Sequence, residues 1–236
     1  MLKPKQYTAI VEEKTQESAK VTRLKLKCVE PALINFIPGQ FINLQCGDGG
    51  FRAYSIASDY KDTSHVQILV EFRHDGLGAN YVRGLSLNAS VSFIGPSGKL
   101  RLYEPLPDKL YFFATGTGLA PFLAMFYRLV DIHYMGTVKL FAGFRQEADT
   151  LGTTDIDFAK RNLTNFECEI YYSQPSNAGL YKKGHVTACV DTNIDKSALY
   201  FVCGHPNMVA EVKDTLTKHG ISEEAIIIEG FTRHVQ

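Results

Sequence analysis

The sequence predicts a β-barrel followed by an α/β domain with a parallel sheet, and three observations lead to this order. In the first hundred residues, short segments of strand character are separated by turns rich in glycine and proline, as in a barrel or sandwich. The segment Pro105-Leu106-Pro107 then indicates a linker. Beyond it, apolar runs alternate with helical stretches, which is typical of βαβ units. We therefore expect one domain over residues 1–105 and a second over residues 106–236.

The individual elements are predicted from the periodicity of apolar residues. Residues 21–26 alternate apolar and polar side chains, as a half-buried strand does, whereas residues 110–114 are a continuous apolar run, as expected of a strand buried on both faces. The other strands predicted for the barrel are 41–46, 52–57, 65–72 and 89–94. The second domain is predicted to contain further strands at 138–143, 166–172, 199–202 and 225–229, with helices at 119–134 and 206–219.

Composition and charge exclude several classes of function. The 25 basic and 25 acidic residues balance, so no overall field favours nucleic acid or a membrane surface, and neither is expected as a partner. The N-terminal segment lacks the apolar core of a signal peptide and no apolar run is long enough to span a membrane, so a cytoplasmic location is expected by default. No metal site is expected, because the cysteines are too scattered for a zinc or iron–sulfur centre: Cys28, Cys46, Cys168, Cys189 and Cys203.

A glycine-containing turn joins a predicted strand to a predicted helix in the second domain. Its sequence is Ala114-Thr115-Gly116-Thr117-Gly118-Leu119-Ala120-Pro121. In such a turn the free amides of the first helical turn and the positive end of the helix dipole face an anion, so we expect it to bind the pyrophosphate of a dinucleotide. Pro121 is compatible with the first helical turn. Because Pro121 occupies the third glycine position of the GxGxxG pattern, an ordinary βα turn is the alternative interpretation.

A second glycine turn, Cys203-Gly204-His205-Pro206, follows the strand predicted at 199–202 and opens another helix. In an open parallel sheet, ligands bind beyond the carboxyl ends of the strands. Both turns lie at such ends, so a shared ligand site is expected there. A surface or helix-capping role is expected for His205.

The segment Arg52-Ala53-Tyr54-Ser55 has the residue types that hold a flavin. In a strand, Arg52 and Tyr54 share one face and Ser55 lies on the other. An arginine pairs with a phosphate, a tyrosine ring covers an isoalloxazine face, and a serine hydroxyl reaches a ring nitrogen. The alternative is an exposed strand whose arginine and tyrosine are ordinary surface residues.

Taken together, these motifs resemble the ferredoxin–NAD(P)H reductase family over essentially the full length of the chain. That family has an antiparallel FAD-binding β-barrel followed by a nucleotide-binding α/β domain. The resemblance is carried by five blocks in the family's order: Pro38-Gly39-Gln40-Phe41, Arg52-Ala53-Tyr54-Ser55-Ile56, Gly95-Pro96-Ser97-Gly98, Gly116-Thr117-Gly118-Leu119-Ala120-Pro121-Phe122 and Cys203-Gly204-His205-Pro206-Asn207-Met208.

The resemblance implies roles for individual residues. It places Arg52 on the flavin phosphates, Tyr54 on the flavin ring and Ser55 near flavin N5. It implies catalytic positions for Ser55, for Cys203 beside the nicotinamide, and for Glu229, the family's C-terminal acid, with Phe231 as the aromatic that covers the flavin. The remaining cofactor-binding positions are Ala53, Gly76, Gly78, Ala79, Asn80, Thr115, Gly116, Thr117, Gly118, Pro121, Ser173, Lys183 and Gly204.

Two departures from the family pattern bear on the cofactors. Ala79 and Asn80 stand where many members have a serine or threonine on the flavin phosphate, so FAD is expected and FMN is a less favoured alternative. In the loop Gly76–Asn80, backbone amides can still bind the flavin phosphate. For the nicotinamide donor NAD(P)H, Gln174 occupies the position of an arginine in NADP-specific members, which favours NADH. Lys182 and Lys183 follow close to a second basic position, either as phosphate contacts or as solvated lysines.

The resemblance leaves the electron acceptor open. A ferredoxin, a flavodoxin or an oxygenase component is expected to receive the electrons. One alternative is a flavin reductase that uses free flavin as a substrate. Another is an electron-transfer subunit that works only within a larger enzyme.

Overall fold

The computed structural model describes residues 3–72, 76–177, 179 and 181–230. The chain forms two compact units. One comprises Met1–Leu102 together with Ala120–Arg128, and the other comprises Tyr103–Leu119 with Leu129–Gln236. The expected boundary after residue 105 stays a prediction; in this division Ala120–Arg128, which follow that boundary, pack with the first unit.

The described residues of the first unit form an antiparallel sheet that curls into a barrel. The spatial order of its strands is β4-β3-β6-β1-β2-β5, and an antiparallel bridge between Ile56 and Ile68 links β5 to the residue that follows β4. The predicted barrel is thus present. Its strands are β1 (Lys5–Ser18), β2 (Val21–Glu30), β3 (Phe41–Gln45), β4 (Phe51–Ser55), β5 (His65–Glu71) and β6 (Ser90–Ser97).

Strand β1 was not predicted, although with 14 residues it is longer than each of the other barrel strands. Its pairing with β2 shifts register between Thr8 and Ala9, between Val11 and Glu13, and between Gln16 and Ser18. The second and third shifts insert Glu12 and Glu17 in β1 and so interrupt its alternation of inward and outward side chains, whereas the first inserts Val29 in β2. A period-two pattern therefore cannot be followed along this strand in the sequence.

Two helices complete the first unit. Helix α1 (Leu77–Gly84) buries Val82 in the barrel core, and its neighbours Leu77 and Tyr81 pack against the same core. Helix α2 (Ala120–Asp131) contributes residues 120–128, which begin with a fully apolar stretch whose side chains are buried. Ala124 belongs to the barrel core. A helix that is apolar on all sides requires burial all round, which explains why this segment packs with the barrel.

The second unit contains a parallel sheet, as predicted. The spatial order of its strands is β10-β9-β8-β7-β11-β12, so the chain runs outward from β7 to β10 and then returns to the other side of β7 with β11. The order reverses between β7 and β11, which makes their carboxyl ends the topological switch point. The strands are β7 (Lys109–Thr115), β8 (Thr137–Phe144), β9 (Phe166–Tyr172), β10 (Lys182–Lys183), β11 (Leu199–Gly204) and β12 (Ile226–Gly230).

Aromatic packing and two helices support this sheet. The rings of Phe112 on β7 and Phe201 on β11 stack with centroids 5.0 Å apart. Helix α3 (Thr153–Asn162) precedes β9, and α4 (Pro206–Lys218) follows β11. His205 is the N-cap of α4 and its Nδ1 accepts the amide of Asn207 at 3.3 Å, so the expected capping role is confirmed. Within the described ranges, no helix is long and apolar enough to cross a membrane.

We expect Gly39→Ala to destabilise the first unit strongly. Gly39 has φ +102°, and a Cβ there would lie 2.0 Å from the carbonyl oxygen of Leu100. Gly50 is a matched control, because it has φ +101° but no atom within 4 Å of the Cβ position. Gly50→Ala should lower the free energy of unfolding by about 1 kcal/mol through backbone strain alone. Gly39→Ala should lower it by about 3 kcal/mol, because the clash with Leu100 adds to the strain. Urea unfolding followed by circular dichroism measures both, and equal costs would contradict the packing argument.

Candidate functional site

Strand β4 carries Arg52 and Tyr54 on the face that points to the barrel core. In the pairing with β3, Arg52 lies opposite Leu44 and Tyr54 lies opposite Ile42, and both of these partners are fully buried. Residues opposite each other in an antiparallel pair project to the same side. Ser55 therefore lies on the other face, as predicted, and it is 4% exposed.

Helix α1 begins directly beside these two side chains. A Cβ on Gly78 would lie 2.2 Å from Tyr54 Oη and 3.1 Å from Arg52 Cγ, so there is no room for a side chain at this position. The amide of Asn80 donates to the carbonyl oxygen of Gly76 at 2.9 Å. Helix geometry leaves the amides of residues 77–79 without intrahelical acceptors. These amides fit phosphate oxygens, which need several converging donors. The Arg52 guanidinium donates through Nη1 to the carbonyl oxygen of Phe51 at 2.9 Å, and its other N–H groups are further donors on the same strand.

Residues 76–80 are the start of this helix, which corrects the loop expected there. Gly76 is the N-cap in an extended conformation, and it has no side chain to cap the helix. Ala79 is 8% exposed, and the side chain of Asn80 accepts a hydrogen bond from Arg83 Nη1 at 2.9 Å. Of these two residues, only Ala79 has a main-chain amide without an intrahelical acceptor, because the Asn80 amide bonds to Gly76. The phosphate contacts predicted for Ala79 and Asn80 stay predictions.

Tyr54 is held as a neutral phenol. Its ring packs against the barrel core, and burial raises the pKa of its hydroxyl above the ordinary value, with a smaller contribution from Cys46. A protonated phenol next to the start of α1 remains both a donor and an acceptor at physiological pH. This chemistry is compatible with the predicted role of Tyr54 on the flavin, which stays a prediction.

In the second unit, the two predicted glycine turns touch through their main chains. A Cβ on Gly118 would lie 2.4 Å from the carbonyl oxygen of Cys203, and one on Gly204 would lie 2.3 Å from Thr115 Oγ1. Thr115 Oγ1 also accepts the amide of His205 at 2.9 Å. The turns after β7 and β11 therefore form one main-chain surface at the switch point, which fits a pyrophosphate that must approach the backbone closely. Gly116 has φ +54° and opens a short 3₁₀ turn that leads into α2, in which Pro121 is the second residue.

Cys203 lies at the end of β11 with Ala114 on one side and Glu229 on the other. It is fully buried, and burial raises the pKa of its thiol well above the ordinary value, with the Glu229 carboxylate adding to the effect. The thiol is therefore neutral at physiological pH and not a nucleophile. Glu229 is half-buried on β12, while Phe231 lies outside the described residues.

At the ends of β8 and β9 the structure places Arg145 next to Gln174. The amide of Ser173 donates to Phe144 O at 3.0 Å, and the amide of Gln174 donates to Arg145 O at 2.8 Å. Arg145 Nε donates to Gln174 Oε1 at 2.9 Å. The sequence does not predict Arg145, because the resemblance points only to the position after Ser173. The one feature of the sequence that points to this residue is that an arginine directly follows a buried strand.

The two lysines of β10 differ in their surroundings. Lys182 Nζ lies 2.8 Å from Glu169 Oε2 and 5.5 Å from the ring centroid of Tyr171, so its charge is already paired. Lys183 pairs with Tyr172 through the backbone and is exposed. Of the two lysines, Lys183 is therefore the one whose ammonium is available to an anionic ligand. Its predicted contact with the cofactor stays a prediction.

Each unit thus has a candidate main-chain cradle for an anion, one at the start of α1 and one at the switch point of the parallel sheet. Together with the fold, these cradles define the class of oxidoreductases that hold a flavin and a nicotinamide dinucleotide. Residues 8–102 match the family described as oxidoreductase FAD-binding domain, and residues 112–214 match the oxidoreductase NAD-binding domain. The chain belongs to the ferredoxin–NAD(P)H reductase family.

Similar proteins are electron transfer and reductase components. The chain is 30% identical over 230 residues to the toluate 1,2-dioxygenase electron transfer component of Pseudomonas putida, covering 95% of this chain and 67% of the relative. It is 27% identical to the propane 2-monooxygenase reductase component of Rhodococcus jostii, covering 90% of this chain and 60% of that protein. The chain therefore spans only about two thirds of the length of these relatives. The crystal structure of an Amycolatopsis cytochrome P450 reductase shares the fold, with a TM-score of 0.88 at 24% identity over 98% of this chain and 71% of that one.

We expect Arg52→Ala to raise the dissociation constant for FAD at least about tenfold, because a charge-assisted pair with phosphate is lost. The dissociation constant of Arg52→Lys should lie between those of this variant and the wild type, since lysine keeps the charge but cannot bind phosphate bidentately. Arg161→Ala, which removes an exposed arginine of α3, is the control. Quenching of flavin fluorescence on addition of apoprotein gives the affinities. If Arg52→Ala bound FAD as tightly as Arg161→Ala does, Arg52 would not be a phosphate ligand.

Proposed function

We propose that this chain oxidises NAD(P)H with bound FAD and passes the electrons to a redox protein, either a ferredoxin or flavodoxin or the component of an oxygenase system. The observation that carries the proposal is that one chain holds both main-chain cradles, with Arg52 at the first and paired glycine turns at the second. A protein that bound only a nucleotide would need only one of them. The printed names of the relatives, which include dioxygenase and monooxygenase systems, support an oxygenase as the final consumer of electrons.

The proposed mechanism assigns binding and orientation to the protein. Bound FAD would supply the redox chemistry, accepting a hydride from the nicotinamide and releasing single electrons. Arg52 and the first amides of α1 would hold its phosphates, and Tyr54 would lie against its ring. Ser55 would donate a hydrogen bond near the reacting nitrogen. The glycine turns would fix the nicotinamide dinucleotide by its pyrophosphate, leaving Cys203 as a neutral, compact wall of the nicotinamide site with Glu229 nearby.

A flavin reductase that releases its flavin is the second candidate. The two functions differ in how firmly the flavin is held, so passage of the purified protein through a desalting column separates them. We expect FAD to remain with the protein, because several converging donors hold its phosphates. Flavin that washes away while NADH-dependent reduction of added flavin continues would favour the second candidate.

We expect Ser55→Ala to slow flavin reduction by NADH at least about tenfold with little change in flavin content, because the hydroxyl acts on the hydride transfer rather than on binding. Stopped-flow absorbance under anaerobic conditions measures the rate. Ser58→Ala is the matched control: Ser58 is buried to a similar extent, and its hydroxyl accepts the amide of Gln67 at 3.2 Å. An unchanged reduction rate in Ser55→Ala would remove Ser55 from the mechanism.

We further propose NADH as the preferred donor. Gln174 stands where NADP-specific members have arginine, and its side chain engages the Arg145 guanidinium. Glu147, two residues after Arg145, accepts the amide of Ser176 at 3.0 Å, and hydrogen bonding of this kind lowers the pKa of its carboxyl. A carboxylate held ionised at this end of the sheet opposes an additional phosphate on the ribose.

We expect Gln174→Arg to raise the ratio of kcat/KM for NADPH to that for NADH at least about tenfold. The new guanidinium would bind the 2′-phosphate and would release Arg145 from its hydrogen bond with Gln174. Gln174→Met, which also releases Arg145 but adds no charge, is the control. Steady-state oxidation of both nucleotides with ferricyanide gives the ratio, and an equal shift in the two variants would assign the effect to Arg145 alone.

A cytoplasmic location is part of this proposal. All five cysteines, which lie within the described ranges, are free thiols, and this is typical of a reducing compartment.

A further inference from the structure

Helix α1 is held at its C-terminal end by a lysine from a distant strand. Lys14 on β1 donates to the carbonyl oxygens of Val82 at 3.0 Å, Leu85 at 2.7 Å and Arg83 at 3.4 Å. The last carbonyls of a helix lack intrahelical donors and carry the negative end of its dipole. The Leu85 amide also donates to the Val82 carbonyl oxygen at 3.3 Å, so the half-buried ammonium adds to the cap at the end of α1 that is opposite the proposed phosphate cradle.

A β-bulge directs Lys14 toward this helix. Val11 pairs with Leu26 and Glu13 pairs with Lys25, so Glu12 is the additional residue of β1. Without the extra residue, strand alternation would point the side chain of Lys14 to the outside of the barrel. With it, Lys14 pairs with the fully buried Leu24 and takes the side of the sheet that faces the core.

The side chain of the bulged residue is itself fixed by charges on the outer face of the barrel. Glu12 Oε2 lies 2.7 Å from Lys25 Nζ and 3.2 Å from His65 Nε2, and His65 Nδ1 lies 2.9 Å from Asp62. The hydrogen bond from Lys25 is the main cause that lowers the pKa of the Glu12 carboxyl, which stays ionised. These ion pairs connect β1 with β2 and with the start of β5 at the position of the bulge.

We infer that Lys14 is a positioning residue for the flavin phosphates, an inference that rests on the proposed function. With only eight residues, α1 has little more than two turns, so fraying of its last turn shifts its first. Gly78 packs so closely against Tyr54 and Arg52 that such a shift would break this contact. Lys14 therefore sets where the free amides of α1 stand relative to Arg52, without touching the cofactor.

The test compares FAD with riboflavin, which has the same ring but no phosphate, on the full chain. Lys14→Met should raise the dissociation constant for FAD about tenfold and leave that for riboflavin unchanged, because only the phosphates use the amides of α1. Lys14→Arg, which keeps a cation and several donors, should restore most of the FAD affinity. Lys5→Met removes an exposed lysine at the start of the same strand and is the matched control. Lys14→Gln, a milder change, serves if the methionine variant does not fold.

The outcomes separate this inference from the proposed function. Equal FAD affinity in the wild type and the Lys14 variants, or parallel losses for FAD and riboflavin, would overturn the positioning role while the proposed function stands. A wild-type chain that binds no FAD would overturn the proposed function and this inference with it. Loss confined to FAD and rescued by arginine supports the assignment, since a purely structural defect would affect both ligands.

Discussion

Two segments of a protein approach each other most closely where one of them has a glycine, and both units depend on such contacts next to the proposed anion sites. Gly78 brings α1 against Arg52 and Tyr54 with no space for a Cβ. Gly118 and Gly204 do the same for the two turns at the switch point of the sheet. The strands, bulges and helix caps around them serve to hold these close approaches in place.

Electrostatics in the first unit follow from the polarity of one short helix. Arg52 stands at the N-terminal end of α1 and Lys14 at its C-terminal end. The lysine is favoured by the helix dipole. In the proposed function, Arg52 and the free amides of α1 would bind the same phosphates. Burial also raises the pKa values of Tyr54 and Cys203, so both side chains are neutral.

Much of the fold was predictable because it depends on local patterns. Continuous apolar runs identified the strands of the parallel sheet, and turn residues separated the barrel strands. The parts that were missed depend on contacts between distant residues. The bulges of β1 are set by pairing with β2 and hide its periodicity. Helix α1 lacks a side-chain cap and begins with glycines, so its sequence is typical of a loop. Residues 120–128 pack with the first unit, where Ala124 lies in the barrel core, and this contact spans distant parts of the chain.

For the site, the sequence by itself determined which residues have the chemistry: the arginine and tyrosine of β4, the glycines of both turns, and the resemblance of all blocks to one family of reductases. Only the tertiary structure decided which groups meet. It placed Lys14 on the carbonyls of α1 and Arg145 on Gln174, across 71 and 29 positions of the chain. The physical reason is that residue type sets what a side chain can bind, while strand register and helix packing set where it stands.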